Sequence, residues 1–234
     1  VLWSDLYGLQ QTALINEASI AGMGLSLGLD EGLRLSISGF TDKQPELLAA
    51  ALAGLRVAPD QQALDQAIDR FVRGLENRKR ELPFRQLGRT LSSLTRTGFY
   101  DEASLLDAVA EVTPARFNAF VERVLDTALI RVYLFGNYDQ AFAKDLTQTL
   151  QSALPEERKG ATEYIRERVY SPVPGQTLVK NTDLPVEDLG MMLLYAAPEA
   201  TVANEATGQV LARHLRNRAF DTLRTEEQLG YAAG

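Results

Sequence analysis

The chain offers one histidine and no cysteine with which to hold a metal ion. His214 lies in the run Arg213-His214-Leu215-Arg216, where cations flank it. A hydrolytic zinc site of the inverted type needs two imidazoles on one helix face and a carboxylate ligand. One imidazole cannot supply them, so we expect His214 to be an ordinary surface or boundary histidine.

Other self-contained hydrolase sites are also poorly supported. The chain has no cysteine nucleophile, and a single histidine would have to act as the base alone. Several carboxylates are close in sequence, namely Asp65/Asp69, Asp183/Asp188 and Glu226/Glu227. Such pairs can do acid and base work only when they face each other across a cleft, and solvated helix faces account for them better.

Four closely spaced glycines suggest, at first, a phosphate-binding loop: Gly22, Gly24, Gly28 and Gly32. That fingerprint requires a strand before the glycines and a helix immediately after them. Here a second strand pattern follows instead. The glycines are therefore better interpreted as strand residues that let the backbone pack closely.

The charge balance argues against two classes of partner. The formal net charge is −7, so the electrostatic attraction that drives binding to nucleic acid or anionic membrane is absent. No window approaches the roughly 18 consecutive apolar residues of a membrane span. Zero cysteines fit a reducing cytoplasm or a periplasm equally well, so a periplasmic or a cytoplasmic location stays open.

A helix, a hairpin and a layer of helices are predicted for the first part of the chain. Leu2 to Ser19 has apolar residues at helical spacing. Apolar residues then alternate with small or polar ones around a turn at Asp30-Glu31-Gly32, at positions Leu25, Leu27, Leu29, Leu33, Leu35 and Ile37. This alternation predicts a hairpin with one buried face.

Further helices are expected to begin near each of a series of proline and acidic signals: Pro45, Pro59, Pro83, Asp101 and Pro114. Leu129 to Phe135 is apolar and β-prone, and Tyr138 to Leu154 returns to a helical pattern. This order of elements predicts an α+β fold, a two-layer sandwich in which helices cover a mixed or antiparallel sheet.

The remaining chain predicts a linker and a second, incomplete domain. Charge and proline are dense around residues 161–175, which are typical of a linker between an α+β unit at 1–160 and the start of another at 176–234. In the second unit we predict strands at Thr177 to Lys180, Gly190 to Ala197 and Leu229 to Ala233, and a helix at Val202 to Phe220. A start within a helix pattern and a stop within a strand pattern predict a segment of a longer protein.

The most specific pattern lies near the C-terminus, in Arg224-Thr225-Glu226-Glu227-Gln228-Leu229-Gly230-Tyr231. It is similar to the arginine-to-tyrosine signature in the C-terminal half of pitrilysin and insulin-degrading enzyme, and every fixed position of that signature is matched. The segment Gly39 to Leu48 resembles the strand-to-helix junction in the third domain of the same enzymes. Gly136-Asn137 occupies the corresponding place before a later helix.

This resemblance implies a clamshell of two halves, each built from two similar α+β domains, that encloses a chamber for peptides. In the family, zinc is held by an inverted His-x-x-Glu-His helix and a distant glutamate of the N-terminal half. Residues 1–160 would then correspond to most of the third domain and the remainder to the start of the fourth. The partners implied are the zinc-bearing N-terminal half and peptide substrates.

The resemblance also implies roles for two residues. In the family the arginine and tyrosine of the signature project toward substrate bound at zinc, and here they fall on Arg224 and Tyr231. A guanidinium or phenol donor in a dry chamber stabilises the negative charge that develops on the substrate oxygen. Arg224 and Tyr231 are therefore our candidate catalytic and substrate-binding residues, and this chain is expected to contribute no metal ligand.

Two functions remain open at this point. The chain is either the chamber-closing half of a zinc-dependent oligopeptidase, or a zinc-free structural or peptide-binding subunit, as non-catalytic partners are in heterodimeric relatives. A His-x-x-Glu-His motif in the N-terminal half would decide for the first.

We predict that this polypeptide alone binds no zinc tightly and cleaves no peptide, because one histidine cannot complete a hydrolytic site. Zinc can be measured by elemental analysis after dialysis, and hydrolysis with a fluorogenic peptide in the presence and absence of a chelator. Stoichiometric retained zinc or chelator-sensitive cleavage would overturn this assignment of roles.

Overall fold

The computed structural model describes residues 1–29, 32–153, 167–170, 173, 175–197 and 199–229. The chain divides into two compact units. The first comprises Val1–Glu76 and Glu102–Glu167, and the second comprises Asn77–Asp101 and Arg168–Gly234.

Helices make up most of the first unit. Their bounds are α1 Leu2–Gln10, α2 Thr12–Ile20, α3 Gln44–Ala53, α4 Gln61–Arg78, α6 Glu102–Ala110, α7 Pro114–Thr127 and α8 Gln140–Ser152. The helix predicted from Leu2 to Ser19 is thus two helices, which meet at Gln11. Proline or a side-chain cap begins several of them, as the sequence predicts: Thr113 accepts a bond from the Arg116 backbone N–H at 3.3 Å.

The predicted hairpin is present in this unit. Strands β1 (Gly24–Leu29) and β2 (Leu33–Ser38) pair antiparallel, with Leu25 opposite Ile37 and Leu27 opposite Leu35. The alternating apolar residues therefore share one face, and all of them except Leu29, which is 52% exposed, pack against the helices of the unit. The turn residues Asp30 and Glu31 lie outside the described residues.

The core of the first unit forms where α1 lies against α3 and α7. Trp3 and Tyr7 are 4% and 1% exposed, and both polar atoms are satisfied inside the core. Trp3 Nε1 donates to the Leu55 carbonyl at 2.9 Å, and Tyr7 Oη donates to the Ala51 carbonyl at 3.1 Å. These bonds let two large aromatic residues be buried without leaving a donor unpaired.

The segment that follows β2 turns sharply into α3. Gly39 has φ +115°, and a Cβ atom there would lie 2.9 Å from the Gly22 carbonyl oxygen. Gln44, the first residue of α3 and 6% exposed, donates to the Gly39 carbonyl at 3.1 Å and accepts from Tyr138 Oη at 2.8 Å. A glycine and a buried amide thus fix the strand-to-helix junction.

The second unit contains α5 (Pro83–Thr95) and α9 (Val202–Phe220), and a π-helical turn, Asp221–Glu226, follows α9. Backbone bonds tie the end of α5 to a later segment: Thr97 N–H donates to the Arg168 carbonyl at 2.9 Å, and Tyr170 N–H to the Thr95 carbonyl at 2.6 Å. No residue of α9 is buried among the described residues, and apolar side chains such as Leu215 are half exposed.

The sheet is smaller than the sequence predicts. Within the described ranges it has two strands, β1 and β2, so the α+β content is present but the two-layer sandwich is not confirmed. The strand predictions for 129–135, 177–180 and 190–197 are wrong for this structure, in which these residues form no strand. A strand requires a neighbour for its backbone groups, and Tyr133, Phe135 and Tyr195 are more than 80% exposed here.

The domain boundaries at 160 and 176 stay a prediction, since most of the predicted linker, 161–175, lies outside the described residues. The same holds for most of the strand predicted from Leu229 to Ala233. Of the helices that the structure describes, none has both the length and the apolar character to cross a bilayer.

Replacing Gly39 with alanine is expected to lower the free energy of unfolding by about 2 kcal/mol or more, because the new Cβ meets backbone atoms at a positive φ. Gly8→Ala is the matched control. Gly8 lies inside α1 with open space around it, so alanine should raise the same free energy by about 0.5–1 kcal/mol. Urea denaturation of the three proteins checks both signs, and equal midpoints would contradict the account of the junction.

Candidate functional site

Arg224 lies on the π-helical turn at the end of α9. Thr201 caps the N-terminus of the helix, where its Oγ1 accepts from the Asn204 N–H at 3.1 Å, and the helix ends at Phe220, where the turn Asp221–Glu226 follows. In the turn, Glu227 N–H bonds to the Thr222 carbonyl at 2.9 Å, five residues back. π-Helical turns are rare in proteins overall, and those that occur are often found at functional sites.

The π-helical turn is closed by a left-handed residue. Gln228 has φ +51°, the one non-glycine residue with positive φ in the part of the chain that the structure describes. The next N–H, that of Leu229, bonds to the Leu223 carbonyl at 2.9 Å. This resembles the usual left-handed helix end, widened by one residue to match the π-helical turn. The backbone thereby leaves the helix at Gln228, after the turn that contains Arg224.

The Arg224 side chain is half-buried and lies over an aromatic ring. Its Cζ atom is 5.0 Å from the centroid of the Phe220 ring, within the range of a cation–π contact. Phe220 is 38% exposed. The guanidinium therefore lies over the ring, and this contact limits its position.

Tyr231, the second candidate residue, lies outside the described residues together with Gly230. The structure therefore gives the position of Arg224 alone, and the juxtaposition of Arg224 with Tyr231 stays a prediction. What is described of the signature is the turn that leads from Arg224 toward Tyr231.

The other titratable candidates have the structural roles that the sequence favours. His214 is exposed on α9. Asp65 accepts from Gln61 Nε2 at 2.7 Å, and Asp69 pairs with Arg73 at 2.7 Å, each one turn away on α4. Across the described ranges, no group of three or more histidine, cysteine, aspartate or glutamate residues could hold a metal ion, so these residues do not fit a zinc site.

One carboxylate with a perturbed pKa lies elsewhere in the second unit. Arg89 Nη1 donates to Glu81 at 2.7 Å, and this hydrogen bond holds the pKa of Glu81 below its ordinary value. Gln86 Nε2 donates to the Lys79 and Glu81 carbonyls at 3.0 and 2.6 Å. These side chains satisfy the backbone where α4 ends, so the shifted pKa reports a structural contact rather than a catalytic carboxylate.

Phe220 is the residue at this site that the sequence did not indicate. The sequence pattern that could have indicated Phe220 is an aromatic residue four positions before an arginine, because this spacing brings two side chains together on a helix. That spacing is common on helices. It acquires meaning here because the arginine belongs to the signature.

Comparisons with known proteins cover nearly the whole chain. Residues 1–108 match the model described as the middle or third domain of peptidase M16, and residues 111–234 match the model described as the peptidase M16 inactive domain. The two matches meet between residues 108 and 111.

Individual relatives agree with these models. The chain is 26% identical over 231 residues to the insulin-degrading enzyme of Drosophila melanogaster, covering 95% of this chain and 23% of the relative. The corresponding values are 25% over 228 residues, 93% and 22%, for the insulin-degrading enzyme of Homo sapiens. For protease 3 of Escherichia coli they are 23% over 233 residues, 97% and 24%. The chain thus spans less than a quarter of the length of these relatives.

The turn after Arg224 can be tested at the Leu229 amide. We expect Gln228→Val to reduce protection of this amide from hydrogen exchange by about tenfold, because a β-branched residue is strained at positive φ. Gln228→Asn and Gln228→Gly should keep it, since both residues tolerate this conformation. Hydrogen exchange of the Leu229 amide measured by NMR in each variant checks these expected differences in protection. Unchanged protection in Gln228→Val would contradict the closed turn.

Proposed function

We propose that this chain closes the peptide-binding chamber of a zinc-dependent oligopeptidase. The chain belongs to the peptidase M16 family of pitrilysin and insulin-degrading enzyme and forms part of its C-terminal half. In this proposal it supplies substrate contacts to a site whose zinc is held by the N-terminal half. The partners are that half and the peptide. By itself the chain is not a peptidase.

The names of the relatives support the type of activity. Insulin-degrading enzyme and protease 3 are named for proteolysis, and the similarity to them runs along more than nine-tenths of this chain. The matched C-terminal domain is described as inactive. In this proposal, the domain contributes to the enzyme by binding and positioning the peptide.

The metal must come from residues outside this chain. The described residues contain no cluster that could hold zinc, and the whole sequence has a single histidine. The chemistry open to this chain is therefore hydrogen bonding and charge. Arg224 is the described residue that carries it.

The position of Arg224 is the observation that carries the proposal. It is the arginine of the family signature, and it lies half-buried on a turn rather than in a packed interior. Its guanidinium is always charged and donates in a planar fork that matches carbonyl and carboxylate oxygens. A peptide carbonyl that gains negative charge during cleavage binds such a donor more tightly, and this difference lowers the barrier.

Tyr231 completes the donor pair in this proposal. Its phenol can donate to the same substrate oxygen, and its neutral side chain avoids the cost of burying a second charge.

In the full-length protein, Tyr231→Phe is expected to lower kcat by on the order of 100-fold and to change KM much less, since the lost donor acts mainly on the transition state. Arg224→Ala should lower kcat/KM by about 10- to 100-fold, the value of a hydrogen bond from a charged group. Steady-state kinetics with a fluorogenic peptide measures both.

Arg216→Ala, a change of the same type on the exposed part of α9, is the matched control and should leave kcat/KM unchanged. An unchanged kcat in Tyr231→Phe together with an unchanged kcat/KM in Arg224→Ala would refute the roles. An N-terminal half that lacks His-x-x-Glu-His would instead support a structural or peptide-binding subunit.

A further inference from the structure

The contact between Arg224 and Phe220 crosses the junction between two kinds of helix. Phe220 is the last residue of α9, and Arg224 lies in the π-helical turn that follows. The bond from the Glu227 N–H to the Thr222 carbonyl widens this turn by one residue relative to an α-helix. Side chains after the junction are therefore rotated about the helix axis relative to the positions that they would have in an uninterrupted α-helix. The distance of 5.0 Å between Arg224 Cζ and the centroid of the Phe220 ring therefore depends on the geometry of the π-helical turn.

An arginine at an exposed helix end ordinarily samples many rotamers, and this freedom must be lost when it binds a ligand. A ring four residues earlier reduces that freedom before the ligand arrives. The guanidinium is planar, so it contacts an aromatic ring through its face and oxygen acceptors through its edge. The two contacts are geometrically compatible.

We propose that Phe220 is a positioning residue for Arg224, and that its ring holds the guanidinium plane in the orientation in which its edge meets a carbonyl oxygen of the bound peptide. This inference rests on the proposed function, because it requires that Arg224 bind substrate. It assigns to Phe220 no contact with the reacting atoms. Its action passes through Arg224 alone.

The chain provides a matched control for this contact. Arg96 Cζ lies 4.4 Å from the centroid of the Phe99 ring, a cation–π contact of the same type and shorter than that of Arg224. Phe99 is 45% exposed, close to the 38% of Phe220. Neither Arg96 nor Phe99 belongs to the signature. Loss of the Phe99 ring therefore removes an equivalent contact from a place where we expect no effect on substrate.

The test uses Phe220→Leu and Phe220→Tyr in the full-length protein, each alone and combined with Arg224→Ala. Phe220→Leu keeps an apolar side chain but removes the π face, and kcat/KM should fall by about two- to fivefold, the range expected of an exposed cation–π contact. Phe220→Tyr keeps the face and should retain kcat/KM within about 1.5-fold. Phe99→Leu should leave it unchanged. Thermal midpoints measured alongside exclude loss of folding.

The double variant separates a positioning role from a purely structural one. If Phe220 acts through Arg224, Phe220→Leu should add no further loss once Arg224 is alanine. An equal further loss in that background would overturn the inference, and so would an unchanged kcat/KM in Phe220→Leu while Arg224→Ala is impaired. The latter result leaves the proposed function standing. An unimpaired Arg224→Ala would overturn this inference together with the role of Arg224 in the proposed function.

Discussion

Burial of α1 against α3 is the constraint on which the first unit depends. The interface is built on Trp3 and Tyr7, which are large enough to fill it and carry a donor each. Both donors find carbonyls at or just beyond the end of α3, at Ala51 and Leu55, where the helix leaves backbone acceptors without partners of its own. The same contacts therefore exclude water from the core and satisfy the end of a helix. The hairpin and α7 pack around this pair of helices.

The helices and the hairpin could be predicted because their pattern is local. In α4, Leu64 and Leu75 recur at helical spacing and are buried, and in β1 and β2 the alternating apolar residues share a face. The predicted strands at 129–135 and 190–197 failed for the opposite reason. Their β-prone composition expresses a preference for a sheet, but a strand exists only when another strand accepts its hydrogen bonds, and no local pattern reports that neighbour.

The candidate site was predictable in part. The signature indicated Arg224, and in the structure this residue lies half-buried on a turn at the end of a helix. The π-helical turn, the positive φ of Gln228 and the ring of Phe220 could not be foreseen. Glutamine does not usually end helices in the left-handed conformation. Amino-acid composition also does not predict whether a hydrogen-bonded turn is α-helical or π-helical. Conversely, the ion pair of Glu81 and Arg89 shows that a shifted pKa need not mark chemistry.

Because the turn after α9 is widened, the direction of the Arg224 side chain depends on the number of residues between Phe220 and Arg224. Removing Thr222 or Leu223, which precede the signature, would let the backbone return to ordinary α-helical bonding, and every side chain beyond the deletion would be rotated about the helix axis. Such a change could preserve the signature letter for letter and still aim the guanidinium elsewhere. Length in this short stretch is thus under a constraint separate from residue identity, and spacing relative to Phe220 is as informative as the motif itself.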